Sequence, residues 1–195
     1  MSSTVSHMRF RCSRCGKEYG APVYSYIDAV SNPALVSSVE DGSLFVRECP
    51  ECGCRELIST PVVYKDDKCL ICLSDRPLAV EGLEGVHGRL VHDVGSLIEK
   101  VKIFQTGLDD AALELTKFVT RSELGKDVLL RFLKTEGADN EIIFTYPSDG
   151  HMEMLAVGIN VYEDCCGIIA RNPAMTESLQ GLPCVDRDWV ENFIG

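Results

Sequence analysis

Two short cysteine hooks could hold a metal ion: Cys12-Ser13-Arg14-Cys15-Gly16 and Cys49-Pro50-Glu51-Cys52-Gly53. Each separates two thiols by two residues, a spacing that a tight turn folds onto one ion. Each ends in a glycine free to turn back with φ > 0. Together they supply four thiolates, the tetrahedral complement of a structural zinc, with Cys12, Cys15, Cys49 and Cys52 as the expected ligands. The same sulfurs suit iron, which spacing alone does not separate from zinc. Two other cysteine chemistries compete. A disulfide framework belongs to oxidising compartments, but no secretory leader is read at the start of the chain, so ten cysteines point to a reducing, cytoplasmic setting. A thioredoxin-like redox pair needs a helix after its C-x-x-C. Here Gly53-Cys54-Arg55-Glu56-Leu57-Ile58-Ser59-Thr60 is short, partly β-branched and strand-like.

The remaining candidates read as structural. Cys54 competes with Cys52 as a ligand, but on the outgoing strand it is expected to be a small core residue. Cys69-Leu70-Ile71-Cys72 lacks the glycine, and three residues along a strand its two sulfurs face opposite sides. Cys165, Cys166 and Cys184 read as packing. Asp109-Asp110 is the most tempting acidic pair, with Glu99, Glu114 or His92 as companions for acid/base work. An aspartate that opens a helix, however, caps free N–H groups and suits the dipole, so capping is the expected role. The four histidines (His7, His87, His92 and His151) show no metal-binding spacing. No G-x-S-x-G, Walker loop or dinucleotide fingerprint occurs, and Gly82, Gly85 and Gly88 punctuate a loop.

These hooks need short strands to carry them. Residues 9–11 and 17–27 flank the first, and residues 44–47 and 55–60 flank the second, giving strand-knuckle-strand twice, the layout of a zinc ribbon. Between them, Asn32-Pro33 opens a short helix with Asn32 as N-cap, stopped at Gly42. Residues 62–64 and Cys69–Leu73 form a hairpin around Asp66-Asp67. A joint rich in turn residues, 74–88 with Pro77, then separates a β module (1–75) from an α+β body (76–195). In that body a strand at 89–91 precedes a helix capped by Asp93 and stopped by Gly107. A second helix begins at Asp109, with Leu108 stapled onto Leu113. Antiparallel strands follow at 128–133, 141–146 and 152–157, the last two joined through Pro147-Ser148-Asp149-Gly150. Helices at 161–171 and 187–193 close the chain, with Trp189 as a core anchor. The fold class is α+β: a zinc-ribbon-like β-rich N-terminal module joined to an α+β body with antiparallel strands and several helices.

Charge narrows the partners. Net charge is −11, and residues 59–195 carry thirteen Lys/Arg against twenty-three Asp/Glu, whereas residues 1–58 carry six against seven. Such a chain gains little from neutralising phosphates, so nucleic acid is disfavoured as a partner. The basic cluster Arg9, Arg11, Arg14 and Lys17 reads as a solvated rim. No apolar run reaches the ~18 residues of a membrane span. Free strand edges would let a second copy pair.

Laid out in order, these landmarks resemble the CpXC family of bacterial and archaeal proteins. The resemblance rests on both knuckles, including Cys49-Pro50-Glu51-Cys52, and on Asn32-Pro33 with Asp41-Gly42-Ser43-Leu44-Phe45. It continues through Pro61-Val62-Val63-Tyr64-Lys65-Asp66, Leu97-Ile98-Glu99-Lys100-Val101, and Gly107-Leu108-Asp109-Asp110 with Glu114 and Lys117. Val185-Asp186 and Trp189 resemble its usual ending. The first knuckle departs from the pattern in lacking proline. The resemblance implies a cysteine-bound metal and no established activity. The expected function is therefore a non-enzymatic, protein-binding module with a structural zinc held by four cysteines. The alternatives are an enzyme with an acidic site near Asp109/Asp110 between the two subdomains and, third, nucleic-acid binding through the ribbon.

Overall fold

A computed structural model describes residues 2–76 and 81–194; Pro77, the proline of the expected joint, lies outside the described residues. The chain is α+β, as its sequence predicts, with six α-helices among the described residues and a β-rich N-terminal region. It divides into two compact units, Met1–Ile98 and Glu99–Gly195.

The first unit is built on a mixed five-stranded sheet of order β1-β2-β5-β6-β7. Strands β1 (Thr4–Arg11) and β2 (Glu18–Asp28) form an antiparallel pair that closes at Arg11 and Glu18, leaving residues 12–17 as the loop. β2 alternates exposed and buried residues, with Tyr19, Ala21 and Val23 inward, the period of a strand with one covered face. From β2 the chain leaves the sheet, and α1 (Ala34–Glu40) starts one residue later than expected. Pro33 occupies the cap position, and the Asn32 carbonyl accepts from the Leu35 N–H at 3.1 Å in place of a side-chain cap. Gly42 ends the excursion at φ 75°. A small two-stranded sheet follows, β3 (Val46–Glu48) with β4 (Arg55–Leu57), closing at Glu48 and Arg55 around residues 49–54.

The chain then returns to the first sheet. The expected hairpin is present as β5 (Val62–Lys65) antiparallel to β6 (Cys69–Leu73), turned by Asp66, whose carboxylate accepts from the Lys68 and Cys69 N–H groups at 2.8 and 2.7 Å. β5 also pairs parallel with β2, and β7 (His87–Val91) pairs parallel with β6. All five residues of β6 are buried, which is why Cys69-Leu70-Ile71-Cys72-Leu73 is a continuous apolar run rather than an alternating one. Helix α2 (Val94–Thr106) begins at Asp93, whose carboxylate accepts from the Ser96 N–H at 2.8 Å.

In the second unit, Gly107 at φ 78° breaks the helical run and Asp109 restarts it as α3 (Asp110–Leu124). The three-stranded antiparallel sheet has the order β10-β9-β8, with β8 at Arg131–Glu136, β9 at Glu141–Ser148 and β10 at His151–Val157. The β9–β10 loop is only Asp149-Gly150. Both have positive φ (47° and 82°), the signature of a two-residue hairpin turn whose twist matches the strands. Pro147 and Ser148 therefore stay in the strand. Pro147 is tolerated there because β8, paired to β9 no further than Thr145, no longer runs beside it. Helices α4 (Ile159–Ala170) and α6 (Arg187–Ile194) match the two expected at this end. Between them lies α5 (Pro173–Ser178), which the sequence reading does not anticipate although Asn172-Pro173 marks its start.

Leu113, Leu115, Ile142, Phe144, Cys165 and Trp189 share one apolar core. Trp189 anchors α6 there and donates from Nε1 to the Ser178 hydroxyl at 3.0 Å. Among the described residues no helix is long and apolar enough to cross a membrane.

Candidate metal centre

The two hooks fold as copies of one another. In the first, the Cys12 N–H donates to the Lys17 carbonyl at 2.9 Å and the Gly16 N–H to the Cys12 carbonyl at 2.9 Å. In the second, the Cys49 N–H donates to the Cys54 carbonyl at 2.8 Å and the Gly53 N–H to the Cys49 carbonyl at 2.9 Å. The backbone bonds are the same, residue for residue. Both depend on a glycine in the left-handed region, Gly16 at φ 71° and Gly53 at φ 64°. Each loop lifts two thiols off the end of a strand pair and aims them at a common point.

The sulfurs meet crosswise. Cys12 Sγ lies 3.6 Å from Cys52 Sγ and Cys15 Sγ lies 3.7 Å from Cys49 Sγ, and all four sulfurs fall within 4.8 Å of one another. A tetrahedron with metal–sulfur bonds of ~2.3 Å has edges of about 3.8 Å. A disulfide needs ~2.05 Å. The spacing thus suits a shared ion, and the four cysteines named from sequence are able to hold one. Cys12 and Cys49 are buried and pack with Tyr19 and Ala21, Cys52 is partly covered, and Cys15 is exposed.

The electrostatics of the cage show the cost of four thiols at one point. The Cys15 N–H foremost, helped by the Arg14 N–H and the Cys52 and Cys15 thiols and opposed by burial, draws the Cys12 thiol down to about 7. Cys52 is pushed up to about 12. The Cys54 N–H favours its thiolate, but burial and the sulfurs of Cys15, Cys12 and Cys49 outweigh it. Cys15 also rises: the Lys17 N–H and the Cys52 sulfur favour its thiolate, but burial and the Cys49 and Cys12 sulfurs outweigh them. One thiolate forms readily and resists the next. A divalent cation removes that conflict, since it stabilises every thiolate it binds. The Tyr19 hydroxyl is buried without a hydrogen-bond partner, and its ionisation is disfavoured by burial and then by the charges of Glu56, Cys49, Cys12 and Cys54.

Glu56 and Tyr19 are the residues that sequence reading misses. Glu56 accepts from the Ser13 N–H of the other hook at 3.0 Å, tying the loops together, and with Cys12 and Cys54 forms a second, overlapping group of metal-ligating atoms. The available signal is alternation, since Cys54 and Glu56 stand two apart along the outgoing segment. Cys54 itself packs against the Cys12–Cys49 cluster as a small partly buried residue. Around the rim, Arg11 Nε donates to the Gly16 carbonyl at 3.3 Å and Lys17 lies 3.9 Å from Glu51.

The other candidates sit elsewhere. Cys69 and Cys72 are fully buried in β6, and burial pushes the Cys72 thiol up to about 11. His92 Nδ1 lies 3.2 Å from the Ser74 carbonyl oxygen. Asp109 caps α3, accepting from the Ala112 N–H at 2.8 Å. Asp110 does something different: fully buried, it pairs with Lys100 at 2.7 Å. Lys100 also reaches Glu114 at 3.4 Å, while Lys117 lies 2.8 Å from Glu114 and 2.7 Å from Glu99. Three buried carboxylates are thus balanced by two buried ammonium groups and the partly exposed Arg131 guanidinium, 3.3 Å from Glu99.

The stretch that carries both hooks also matches a known family. A family model described as CpXC protein matches residues 10–117, over half of the chain and both hooks in full. No curated protein and no solved structure matches the chain. With the twin knuckles and the helical stretch through Lys117 inside the matched region, the chain belongs to the CpXC family.

Proposed function

We propose that this CpXC protein is a cytoplasmic, non-enzymatic module that binds another protein and is held in shape by one structural zinc. The observation that carries the metal half of this reading is the convergence of Cys12, Cys15, Cys49 and Cys52 to within 4.8 Å. Zinc held by four thiolates keeps no open position for water or substrate, so the chemistry it would supply is a cross-link between the two knuckles. Zinc is favoured over iron on ligand preference alone, as the metal most often held by paired C-x-x-C knuckles.

The binding half is supported by β10. This edge strand leaves Met152 and Met154 65% and 70% exposed, two flexible apolar side chains on a strand able to accept another. The acidic balance of the chain disfavours nucleic acid as that partner. Metal analysis tests the reading. One zinc per chain is expected, lost together with much of the stability when Cys49 and Cys52 are both replaced by serine. A Cys49→Ser/Cys52→Ser protein that keeps its metal, or its full stability, would overturn it.

A further inference from the structure

In the second unit a cavity of about 350 Å³ opens beside the C-terminal turn of α3, lined by Phe118, Arg121, Ser122, Lys126, Arg187 and Glu191 among others. Its charges are unusual for this protein. Among the lining residues Arg121, Lys126 and Arg187 meet two acids, Asp127 and Glu191, so in a chain of net charge −11 this lining carries an excess of one positive charge. Arg121 is 8% exposed, and its Nη2 is buried with no hydrogen-bond partner. A last-turn arginine suits a helix C-terminus, yet that role needs only proximity and leaves the Nη2 donor stranded. Buried donors on a charged group are costly unless something accepts from them. Burial and then the neighbouring Arg187 charge hold the Arg121 pKa below the usual arginine value, against the opposing pull of Glu114, Glu191 and Asp127.

An anion held by Arg121 and Arg187 would offer acceptors to the stranded guanidinium and offset the positive excess of the lining. We propose that this cavity is a binding site for a small oxyanion, a phosphate or carboxylate group, with Arg121 as its buried donor and Arg187 as its half-exposed one. Guanidinium forks match the paired oxygens of either group. Arg187 is now held by Asp127 and, at 2.6 Å, by Glu191. These pairs are solvent-exposed and therefore weak, so an arriving oxyanion can take their place at little cost. The cavity is at the small end of ligand sites, large enough for an oxyanion on a compact organic body resting against Phe118.

The test is a titration of the full-length, isotopically labelled protein with inorganic phosphate and, separately, with succinate, followed by backbone amide resonances. Saturable shifts confined to residues 118–127 and 187–191, weakened about tenfold in Arg187→Gln, are the expected result. A response to phosphate alone assigns phosphate esters as the ligand class, and a response to succinate alone assigns carboxylates; either supports the site. Arg187 is exposed, so its replacement keeps the test valid even if Arg121→Lys fails to fold. No saturable shift with either probe, equal affinity in Arg187→Gln, or shifts spread over the whole surface would overturn the assignment.

Discussion

Cys12 and Cys52 stand forty positions apart in the sequence and 3.6 Å apart at their sulfurs. The first cysteine of one hook thus faces the last of the other, and Cys15 faces Cys49 in the same way. An ion at their centre would tie the β1–β2 loop of the large sheet to the β3–β4 loop of the small one. Two strands of three residues make a sheet of little intrinsic stability, so this cross-link is what the small sheet needs most.

The knuckle glycines should be needed for backbone reasons alone. Nothing lies within 4 Å of where a Gly53 side chain would project, so Gly53→Ala meets no clash. Its cost is the left-handed φ, about 1–2 kcal/mol. Denaturant unfolding of the metal-loaded variant should show that loss with the metal content unchanged. A neutral substitution would mean that the loop relaxes away from the φ of 64°.

The two members of the acidic pair should behave differently. Asp109→Ala removes a cap and should lower stability by about 1 kcal/mol. Asp110→Ala leaves the buried Lys100 ammonium with only its longer, 3.4 Å contact to Glu114 and should cost more, about 3 kcal/mol. Neither change should alter the metal content. Equal effects in urea melts would show that the buried pair is better solvated than its 2.7 Å geometry implies.

The same network sets a pH response. Burial disfavours the Glu114 charge, but Lys117 and Lys100 outweigh it and hold the carboxyl below its ordinary range. Its contribution is fully present above that ordinary range and is lost as pH falls through the depressed folded value. Lys117 is the mirror case: burial opposes its charge, yet Glu114 and Glu99 raise it. Its contribution is fully present below the ordinary lysine range and is lost as pH rises through the raised value. The contribution of this network to the unfolding midpoint should therefore be flat through neutrality and fall at both extremes. Glu114→Gln should shrink the acid-side fall; an unchanged acid limb would place the acid sensitivity elsewhere.

Local signals in the sequence are reliable where the structure is local. The knuckles, the caps at Asp93 and Asp109, the stop at Gly107 and the Asp149-Gly150 turn all follow from residues within a few positions of each other. The parallel pairings of β2 with β5 and β6 with β7 do not, because each joins segments separated by long excursions that leave no periodic trace. Nor does the buried network. Glu99 and Glu114, which the sequence offers only as companions of Asp109-Asp110, are buried and paired with Lys100 and Lys117. Asp110 reads as half of a cap. Its neighbour takes that role, and the core takes Asp110.

X-ray absorption at the zinc edge of the purified protein reads the metal shell itself. Four sulfur neighbours at ~2.3 Å and no oxygen or nitrogen are predicted. A shell of three sulfurs with a solvent oxygen, or a protein that carries no zinc, would contradict the account.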